Sequence, residues 1–552
     1  MFDRFSKPFL GLRGRKLNIA IAAVAGVDML LFGFDQGVVG GVLTLESFSR
    51  QFPEICTTAA CTAGLSPSAA NHQSVLQGIS VSSYNLGCFV GAILTICLGD
   101  RLGRKRCIFS GSLIMAVGAI LQCSAFSLAQ LIAGRVICGV GNGINTSTVP
   151  VWQAECSKSH RRGPTVMAEL CIVVGGVALS YWLDFAFAQL EPSSAAWRVP
   201  IAFQLLFTLT VLATVMFMPE SPRWLVLQQK DDQNDGDRKA LEVLCAIYDC
   251  DADDAFVNAE LEAVRVVARQ ASRGTFRDLF AMGKAKNMQR TLLAYGIQVM
   301  QQITGINLIT YYAATIYENE IGLSGTLSRI LAACNGTEYF LAMFPAIFLV
   351  ERIGRRPLLL VGSVGMALSM AVLAISTSIA SKTDNTAAGI VAATFLFVFN
   401  TFFALGWCGL PWLIPTELLP LEIRAQASAL ATSADWIFNF LVVMVTPIAF
   451  QSIGWRTYIV FAVLNAAIVP VVYFLYPETM GRSLEEMDLI FAKSDGWLDT
   501  VTVAKTEPRH YGRHGEVLRD MLPDVRDELG RGDGIGLGDG PNKQVTASHV
   551  EK

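Results

Sequence analysis

The feature that most constrains this chain is a series of long apolar runs, each near the ~20 residues a helix needs to cross ~30 Å of hydrocarbon. Six fall at 17–43, 75–98, 107–126, 130–152, 166–189 and 198–218. After a polar stretch, six more follow at 291–317, 327–350, 358–379, 388–413, 426–450 and 455–476. Inside lipid every backbone N–H and C=O must find a partner within the protein, which restricts spanning structure to helices or a closed barrel. Runs this long predict helices, about twelve of them. Composition agrees: 52% of the residues are hydrophobic and 16% are charged, against about 25% charged in soluble domains. The predicted class is an all-α membrane protein. A net charge of -3 gives no electrostatic case for nucleic acid as a partner.

The runs divide the chain into a basic N-terminus (1–16), a six-helix half (17–218), a central polar loop (219–290), a second six-helix half (291–476) and a tail (477–552). The first run is too long for the apolar core of a secretion signal, so it reads as a membrane span. Lys and Arg set orientation, because basic loops stay on the cytoplasmic side. The loop after the second span holds Arg101, Arg104, Lys105 and Arg106; the loops after the fourth and eighth hold Arg161 and Arg162, and Arg352, Arg355 and Arg356. The loop at 44–74 has one basic residue, Arg50, and that at 318–326 has none. Both termini and the central loop are therefore expected in the cytoplasm, with the plasma membrane as the expected location. The central loop mixes acid and base and can form short amphipathic helices. The tail beyond Asp488 becomes Gly- and charge-rich, as in 528–541, and is expected to be largely disordered.

An internal repeat shows at the basic ends. Asp100-Arg101-Leu102-Gly103-Arg104-Lys105 follows the second span, and Glu351-Arg352-Ile353-Gly354-Arg355-Arg356 follows the eighth. Glu155 precedes Arg162 by the same seven residues as Glu417 precedes Arg424. Pro219-Glu220-Ser221 closes the sixth span and Pro477-Glu478-Thr479 the twelfth. The offsets between halves are 251, 262 and 258. Topology explains the charge of these loops but not their repeated order. Arginines at helix ends can pair with acids of neighbouring loops and tie the cytoplasmic faces together. That makes Asp100, Arg101, Arg104, Glu155, Arg162, Glu351, Arg352, Arg355, Glu417 and Arg424 the expected gate between two rocking halves.

Together with Pro219-Glu220-Ser221-Pro222-Arg223-Trp224-Leu225, Gln301-Gln302-x-x-Gly305-x-Asn307, Tyr311-Tyr312, Gly33-Phe34-Asp35-Gln36-Gly37 and the run from Pro477 to Glu486, these signatures resemble the sugar porters of the major facilitator superfamily. The likeness covers roughly 17–490 and is closest to fungal members. It implies two six-helix halves in parallel repeat around a central site. It also implies a membrane transporter rather than an enzyme. No cofactor or metal is expected; the partners are a sugar or sugar-like molecule, a proton and the lipid bilayer.

Charges within spans are costly, about 2.5–3.5 kcal/mol at the centre of the bilayer, and so point to function or pairing. Asp28, Asp35, Arg135, Glu169, Asp184, Glu338 and Asp435 lie in or near apolar runs. The resemblance places the acid at Asp35 near the arginine at Arg135, and that pair is the expected proton-coupling site. If protonation releases the pair and favours the sugar-binding state, proton and sugar bind together. A structural ion pair is the plainer alternative. The five histidines lie outside the apolar runs, which leaves coupling to a carboxylate. Asp184 is expected near the outer interface, and Asp28 and Glu338 receive no role.

A sugar offers a ring of hydroxyls and an apolar face, which suits amides that donate and accept together with an aromatic surface. Gln301, Gln302, Asn307 and Tyr311 supply this from the seventh span, with Gly305 as a break that lets them converge. Trp412 lies between Pro411 and Pro415 in the tenth span; Trp436 and Asn439 share a face of the eleventh. The resemblance gives sugar contacts to Gln301, Gln302, Asn307, Trp412 and Asn439. Two departures stand out. Glu169 occupies the fifth-span region where relatives carry a glutamine. Tyr339, with Asn335 one turn earlier, stands where they carry an asparagine. Hexose, pentose, disaccharide, polyol and sugar acid all remain open as substrates.

The expected function is secondary active import of a sugar with a proton by alternating access. A facilitative uniporter and a non-transporting sensor that signals through a long tail are the alternatives. Cys56 and Cys61 lie in a polar segment placed outside, where a disulfide can form. The sequons at Asn145 and Asn335 fall within spans, which argues against glycosylation. Gly139-x-Gly141-x-Gly143 follows no strand and reads as close helix packing rather than a nucleotide loop.

Overall fold

The structure is a computed structural model that describes residues 8–57, 61, 65–156, 162–228, 235–271, 275–383 and 385–508. Each half contributes six membrane-length segments. The first half comprises α1 (Gly14–Val42), α2 (Pro67–Leu102), α3 (Arg104–Cys123), α4 (Leu128–Glu155), α5 (Arg162–Ala188) and α6 (Ala195–Val215). The second comprises a broken α7 (α7a, Asn287–Ile303; α7b, Ile306–Thr315), α8 (Gly325–Ile353), α9 (Arg355–Thr383), a broken α10 (α10a, Thr386–Gly406; α10b, Leu410–Leu418), α11 (Arg424–Ile453) and α12 (Arg456–Leu475). Among the described residues, ten helices are long and apolar enough to cross a membrane. The 28-residue α4 and the broken α7 fill the other two places in the series.

Local chemistry sets several of the starts. Ser66 and Ser127 accept from the backbone amides of Ala69 and Gln130, and Pro67 stands at the first helical position of α2. The two breaks have different causes. Gly305 sits at φ 95°, in the left-handed region, and a Cβ there would also approach the Phe461 ring to 2.9 Å. The α10 helix opens at Trp407-Cys408-Gly409, and Pro411 stands in the first turn of its second piece.

The packing repeats between halves. Within the first half α4 packs on α2 and α3, and α6 on α3; in the second, α10 packs on α8 and α9, and α12 on α9. Across the halves α2 packs on α11 and α8 on α5, so the same two surfaces meet twice. The α2–α4 crossing is backbone against backbone. Gly87 and Gly91 of α2, and Gly139 and Gly143 of α4, each lie where a Cβ would overlap the other helix's backbone. Gly141 faces α3 in the same manner. The glycine run thus serves helix packing, as expected. Both sequon asparagines are buried within helices.

One end of the bundle carries the basic loops; the opposite end carries a disulfide between Cys56 and Cys61. At the basic end, the central segment folds into helices Pro222–Leu227, Asp235–Tyr248 and Ala255–Ala271, which share a small apolar core of Val226, Ala240, Leu244, Val257 and Leu261. Asn18 of α1 donates to the Ile247 carbonyl at 3.1 Å and holds this layer to the membrane body.

The expected disorder beyond Asp488 does not hold for the part described. A capping box formed by Ser483 and Glu486 starts a helix over Leu484–Lys493, and a second helix spans Asp499–Thr506. Buried Arg290 of α7a pairs with Asp488 and stacks on Phe491 at 4.3 Å, and Gln289 donates to Thr500 at 3.1 Å. The segment 528–541 lies outside the described residues.

Candidate functional site

A cavity lies between the halves at mid-bundle, and its two walls differ in chemistry. The second half supplies Gln301, Gln302 and Asn307 from α7, Tyr339 from α8, Cys408 and Trp412 from α10, and Asp435 and Asn439 from α11. The first half supplies Phe32 and Gln36 from α1 and Leu170, Val173, Val174 and Val177 from α5. A mainly polar wall, with Ile306 and Phe403 among its amides, thus faces an apolar one, with Gln36 as the amide of the first half.

The helix breaks build the polar wall. Where α10 opens, the carbonyls of Trp407 and Cys408 lose their helical partners, and Gln301 Nε2 donates to both, at 2.9 and 3.0 Å. Its Oε1 is buried without a partner among the described residues. The Gly305 break turns Asn307 back toward Gln302. Asn307 Nδ2 donates to Gln302 Oε1, and Gln302 Nε2 donates to Asp435 Oδ1. From α12, Asn465 Nδ2 donates to the Thr304 carbonyl at 2.8 Å and steadies the break. Tyr339 donates to Cys408 Sγ at 3.2 Å, and Asn85 of α2 donates to Asn439 Oδ1 at 2.8 Å, across the halves.

Two expected pocket residues stand elsewhere. Tyr311 is fully buried behind the cavity, its hydroxyl donating to Asn85 Oδ1 at 3.1 Å. Tyr311 lies one turn beyond Asn307 on α7b, and its hydroxyl meets α2 rather than the cavity. Glu169 is 7% exposed, yet the lining of α5 begins at Leu170, so the carboxylate does not take the place of a pocket amide. Trp436 also lies outside the lining; its ring packs edge-on against Phe32 at 5.6 Å.

Asp35 and Arg135 come together, but through a third residue. Both are 2% exposed. Asp35 Oδ2 accepts from the Tyr84 hydroxyl at 3.3 Å and from Cys138 Sγ at 3.7 Å; its Oδ1 has no partner among the described residues. The Arg135 guanidinium lies 5.4 Å from the centre of the Tyr84 ring and donates to the Val81 carbonyl at 2.8 Å. No ion pair within 4.0 Å joins the two among the described residues. The acid's surroundings connect directly to the cavity. Asp35 precedes Gln36, which lines the cavity, and Tyr84 precedes Asn85, which holds Asn439 and Tyr311. Asp184 is 2% exposed, so it lies inside the bundle; its carboxylate packs against Gly41 near the disulfide end of α1.

At the basic end, the repeated signatures form two matching clusters. Arg104 pairs with Glu155 at 3.2 Å, and Arg355 with Glu417 at 3.0 Å and with Glu351 at 3.2 Å. Glu220 accepts from the backbone amides of Arg104 and Lys105, as Glu478 does from those of Arg355 and Arg356. Each carboxylate caps the first turn of the following helix, α3 or α9. Gly103 and Gly354 sit at φ 85° and 105°, and a Cβ on either would approach that carboxylate to 2.9 or 2.6 Å. Burial pushes the Glu220 carboxyl above its usual range, against the pull of the backbone amides it caps. These contacts run within a half, whereas the expected gate tied one half to the other. Arg424 donates to the Leu419 carbonyl of its own half at 2.8 Å. Arg101 and Arg352 are exposed, and the side chains of Asp100 and Arg162 lie outside the described residues.

Polar ties between the halves appear toward the disulfide end. Arg329 of α8 donates to the Thr44 carbonyl at 2.7 Å, Asn319 to the Thr57 carbonyl at 3.1 Å, and Tyr181 of α5 to the Thr310 carbonyl at 2.7 Å. Sequence reasoning missed Gln36, Asn85 and Tyr84 as working residues, although Gln36 stood inside a motif it quoted; it placed Glu220 and Glu478 among the repeated end signatures without their capping role. It named Asp435 only as a charge within a span.

The family model described as "Sugar (and other) transporter" matches residues 19–491. The chain is 38% identical to the MFS-type transporter oryC of Aspergillus oryzae, over 93% of each chain. It is also 38% identical to the sugar transporter STL1 of Saccharomyces cerevisiae, over 88% of this chain and 83% of that one. The high glucose sensor RGT2 of the same yeast is 32% identical over 88% of this chain and 62% of its own length. Among solved structures, the proton:xylose symporter XylE bound to 6-bromo-6-deoxy-D-glucose shares the fold at TM-score 0.71 and 24% identity, over 86% of this chain and 99% of that one. The inward-open form of XylE from E. coli matches at TM-score 0.67 and 25% identity, over the same shares. A cavity of amides and aromatics between two repeated six-helix halves, and a family match spanning both, lead to one conclusion: this multi-pass membrane protein belongs to the sugar transporter family of the major facilitator superfamily.

Proposed function

We propose that the chain carries a neutral, polyhydroxylated sugar across the membrane together with a proton, by alternating access. The observation that supports it most is the union of two unlike sites: a cavity with a polar wall, and a sealed carboxylate one residue away from its lining. The polar wall carries amides that donate and accept, and its cavity lining contains an acid but no lysine, arginine or histidine. A sugar acid would bring its anion toward Asp435 with no cation to receive it, so neutral sugars fit and anionic ones do not. The apolar wall of α5 and Phe32 suits the face of a sugar ring.

Coupling runs through Asp35. Its protonation removes the charge that the Tyr84 hydroxyl serves. Tyr84 and Asn85 are neighbours on α2, so any shift there reaches Asn439 and Tyr311 of the other half. Arg329, Asn319 and Tyr181 close the disulfide end, which is the outer side once the basic end is assigned to the cytoplasm by its charge. Capping by Glu220 and Glu478 and pairing by Glu155 and Glu417 stiffen each half as a rigid body for the rocking motion.

The test is uptake of labelled D-glucose, D-xylose, D-sorbitol and quinate in cells lacking their own porters, at external pH of about 5 and about 7.5, with and without an uncoupler. Concentrative uptake of a neutral sugar that the uncoupler removes is the expected result. Uptake indifferent to the proton gradient makes the protein a facilitator, and binding without uptake makes it a sensor. XylE and the yeast and Aspergillus transporters supply precedent for the class, while the substrate of this chain rests on its own cavity.

A further inference from the structure

The cavity contains a carboxylate that the coupling scheme leaves unused. Asp435 lies on α11 at mid-bundle, 3% exposed, and lines the cavity beside Trp412 and Asn439. Its partner is an amide: Gln302 Nε2 donates to Oδ1, and Gln302 in turn accepts from Asn307 Nδ2. No basic side chain among the described residues lies within 4.0 Å of it. A charge left unpaired inside a membrane protein is costly and marks function more often than structure.

Its surroundings are otherwise free of charge. From α7b, Tyr312 donates to the Val443 carbonyl and Tyr311 to Asn85. From α2, Ser82 and Asn85 face α11, and from α8 and α10 the titratable lining groups Tyr339 and Cys408 bond each other. From α1 the ring of Phe32 packs on neighbouring Trp436. From α12, Asn465 is committed to the Thr304 and Phe461 carbonyls. Among the described residues, the charged groups on or against α11 include, at its basic end, Arg424 at its own start, Arg277 and Asp278 beside Leu279, which packs on Ile423 and Ala427, and Arg290 of α7a, which pairs with Asp488.

An ionised carboxylate only accepts. It therefore forces the Gln302 amide to present its N–H, which turns Gln302 Oε1 to Asn307 and fixes the direction of the whole row. A protonated carboxyl can donate. The row can then reverse, with Asp435 donating to Gln302 Oε1, Gln302 Nε2 donating to Asn307 Oδ1, and the Asn307 N–H groups turned out to the cavity. Two protonation states of one acid thus offer a substrate two opposite patterns of donors and acceptors.

We propose that Asp435 is a second proton-binding group, placed in the substrate cavity itself, whose protonation state sets the direction of the Gln302–Asn307 hydrogen-bond row and with it the affinity for the sugar. This rests on the reading of the cavity as a sugar site. It divides the work of two acids: Asp35 governs when the carrier turns over, and Asp435 governs how tightly it holds its substrate.

The experiment is equilibrium binding to the purified full-length protein in nanodiscs, read by intrinsic tryptophan fluorescence, with D-glucose, D-xylose and D-sorbitol as probes between about pH 4.5 and about pH 8. By linkage, one bound proton changes Kd by at most roughly tenfold per pH unit. The Asp35→Asn variant should keep a pH-dependent Kd, changing at least about fivefold across the range. Asp435→Asn in that background should make Kd flat while binding persists, which shows that the double variant is folded, and Asp435→Glu in its place should restore the dependence, which ties it to the acid. A flat Kd in Asp35→Asn alone, or an undiminished slope in the double variant, overturns the proposal while leaving the sugar site standing. Failure of the unaltered protein to bind any of the three probes overturns the neutral-sugar reading, and this proposal with it.

Discussion

Gln301 and Asn307 look alike in sequence as members of one amide cluster, but they do different work. Gln301 commits its amide hydrogens to the Trp407 and Cys408 carbonyls, which the opened α10 leaves without helical partners. Removing a partner from a buried polar group costs about 1–3 kcal/mol. Gln301→Ala should therefore lower the stability of the sugar-free protein by about 2–4 kcal/mol, seen as a drop in thermal unfolding temperature in detergent. Among the described residues Asn307 donates only to Gln302 Oε1, so Asn307→Ala should cost the free protein less, about 1–3 kcal/mol for one partner lost, and weaken sugar binding about tenfold, a loss of one good hydrogen bond. Equal melting losses for the two variants would show that the amides are interchangeable. The residue types of this site were legible in sequence, because a sugar asks for amides and an aromatic. Their assignments were not, because a helix break changes which side chains share a face. Tyr311 was expected in the pocket on its residue type and instead bonds Asn85 of α2; Asp435 was visible as an acid, but its contact with Gln302 spans 133 residues of sequence.

Among the elements, the turns at Gly103 and Gly354 explain why the repeated loop signature contains glycine. Each needs a left-handed backbone and leaves no room for a Cβ beside the capping carboxylate. Losing a helix cap costs about 0.5–2 kcal/mol. Glu220→Ala and Glu478→Ala should each destabilise the protein by that order, and the double variant by about the sum, since the clusters lie in different halves. Chemical denaturation in mixed micelles measures both, and a cost confined to one half would mean that the repeat is not mechanically equivalent. The order of the repeat was plain in the sequence, and so were the twelve spans, whose apolar runs match the helices closely. What stayed hidden was the pairing: sequence order suggested that these acids and arginines bridge the halves, whereas each acid turns to the helix end within its own half. That choice depends on where α6 and α12 deliver Glu220 and Glu478, which hydropathy does not encode.

At the scale of the molecule, two six-helix bodies of like architecture carry unlike chemistry. The ties from Arg329 to Thr44 and from Asn319 to Thr57 hold them together at the disulfide end. Arg329→Ala should loosen that end. Spin labels at the exposed positions Arg50 and Leu327 should then report a broadened and longer distance distribution, and an unchanged distribution would place the closing contacts elsewhere. This division of work, in which the proton that drives turnover binds at Asp35 of the first half while the second half holds most of the sugar's polar contacts, is the proposed mechanism. It is tested most directly in proteoliposomes with an imposed proton gradient, comparing sugar accumulation and sugar exchange in Asp35→Asn. Accumulation should be lost while exchange of labelled for unlabelled sugar continues, because the cavity is intact and only the acid that couples turnover is gone. Accumulation by Asp35→Asn equal to that of the unaltered protein would contradict it.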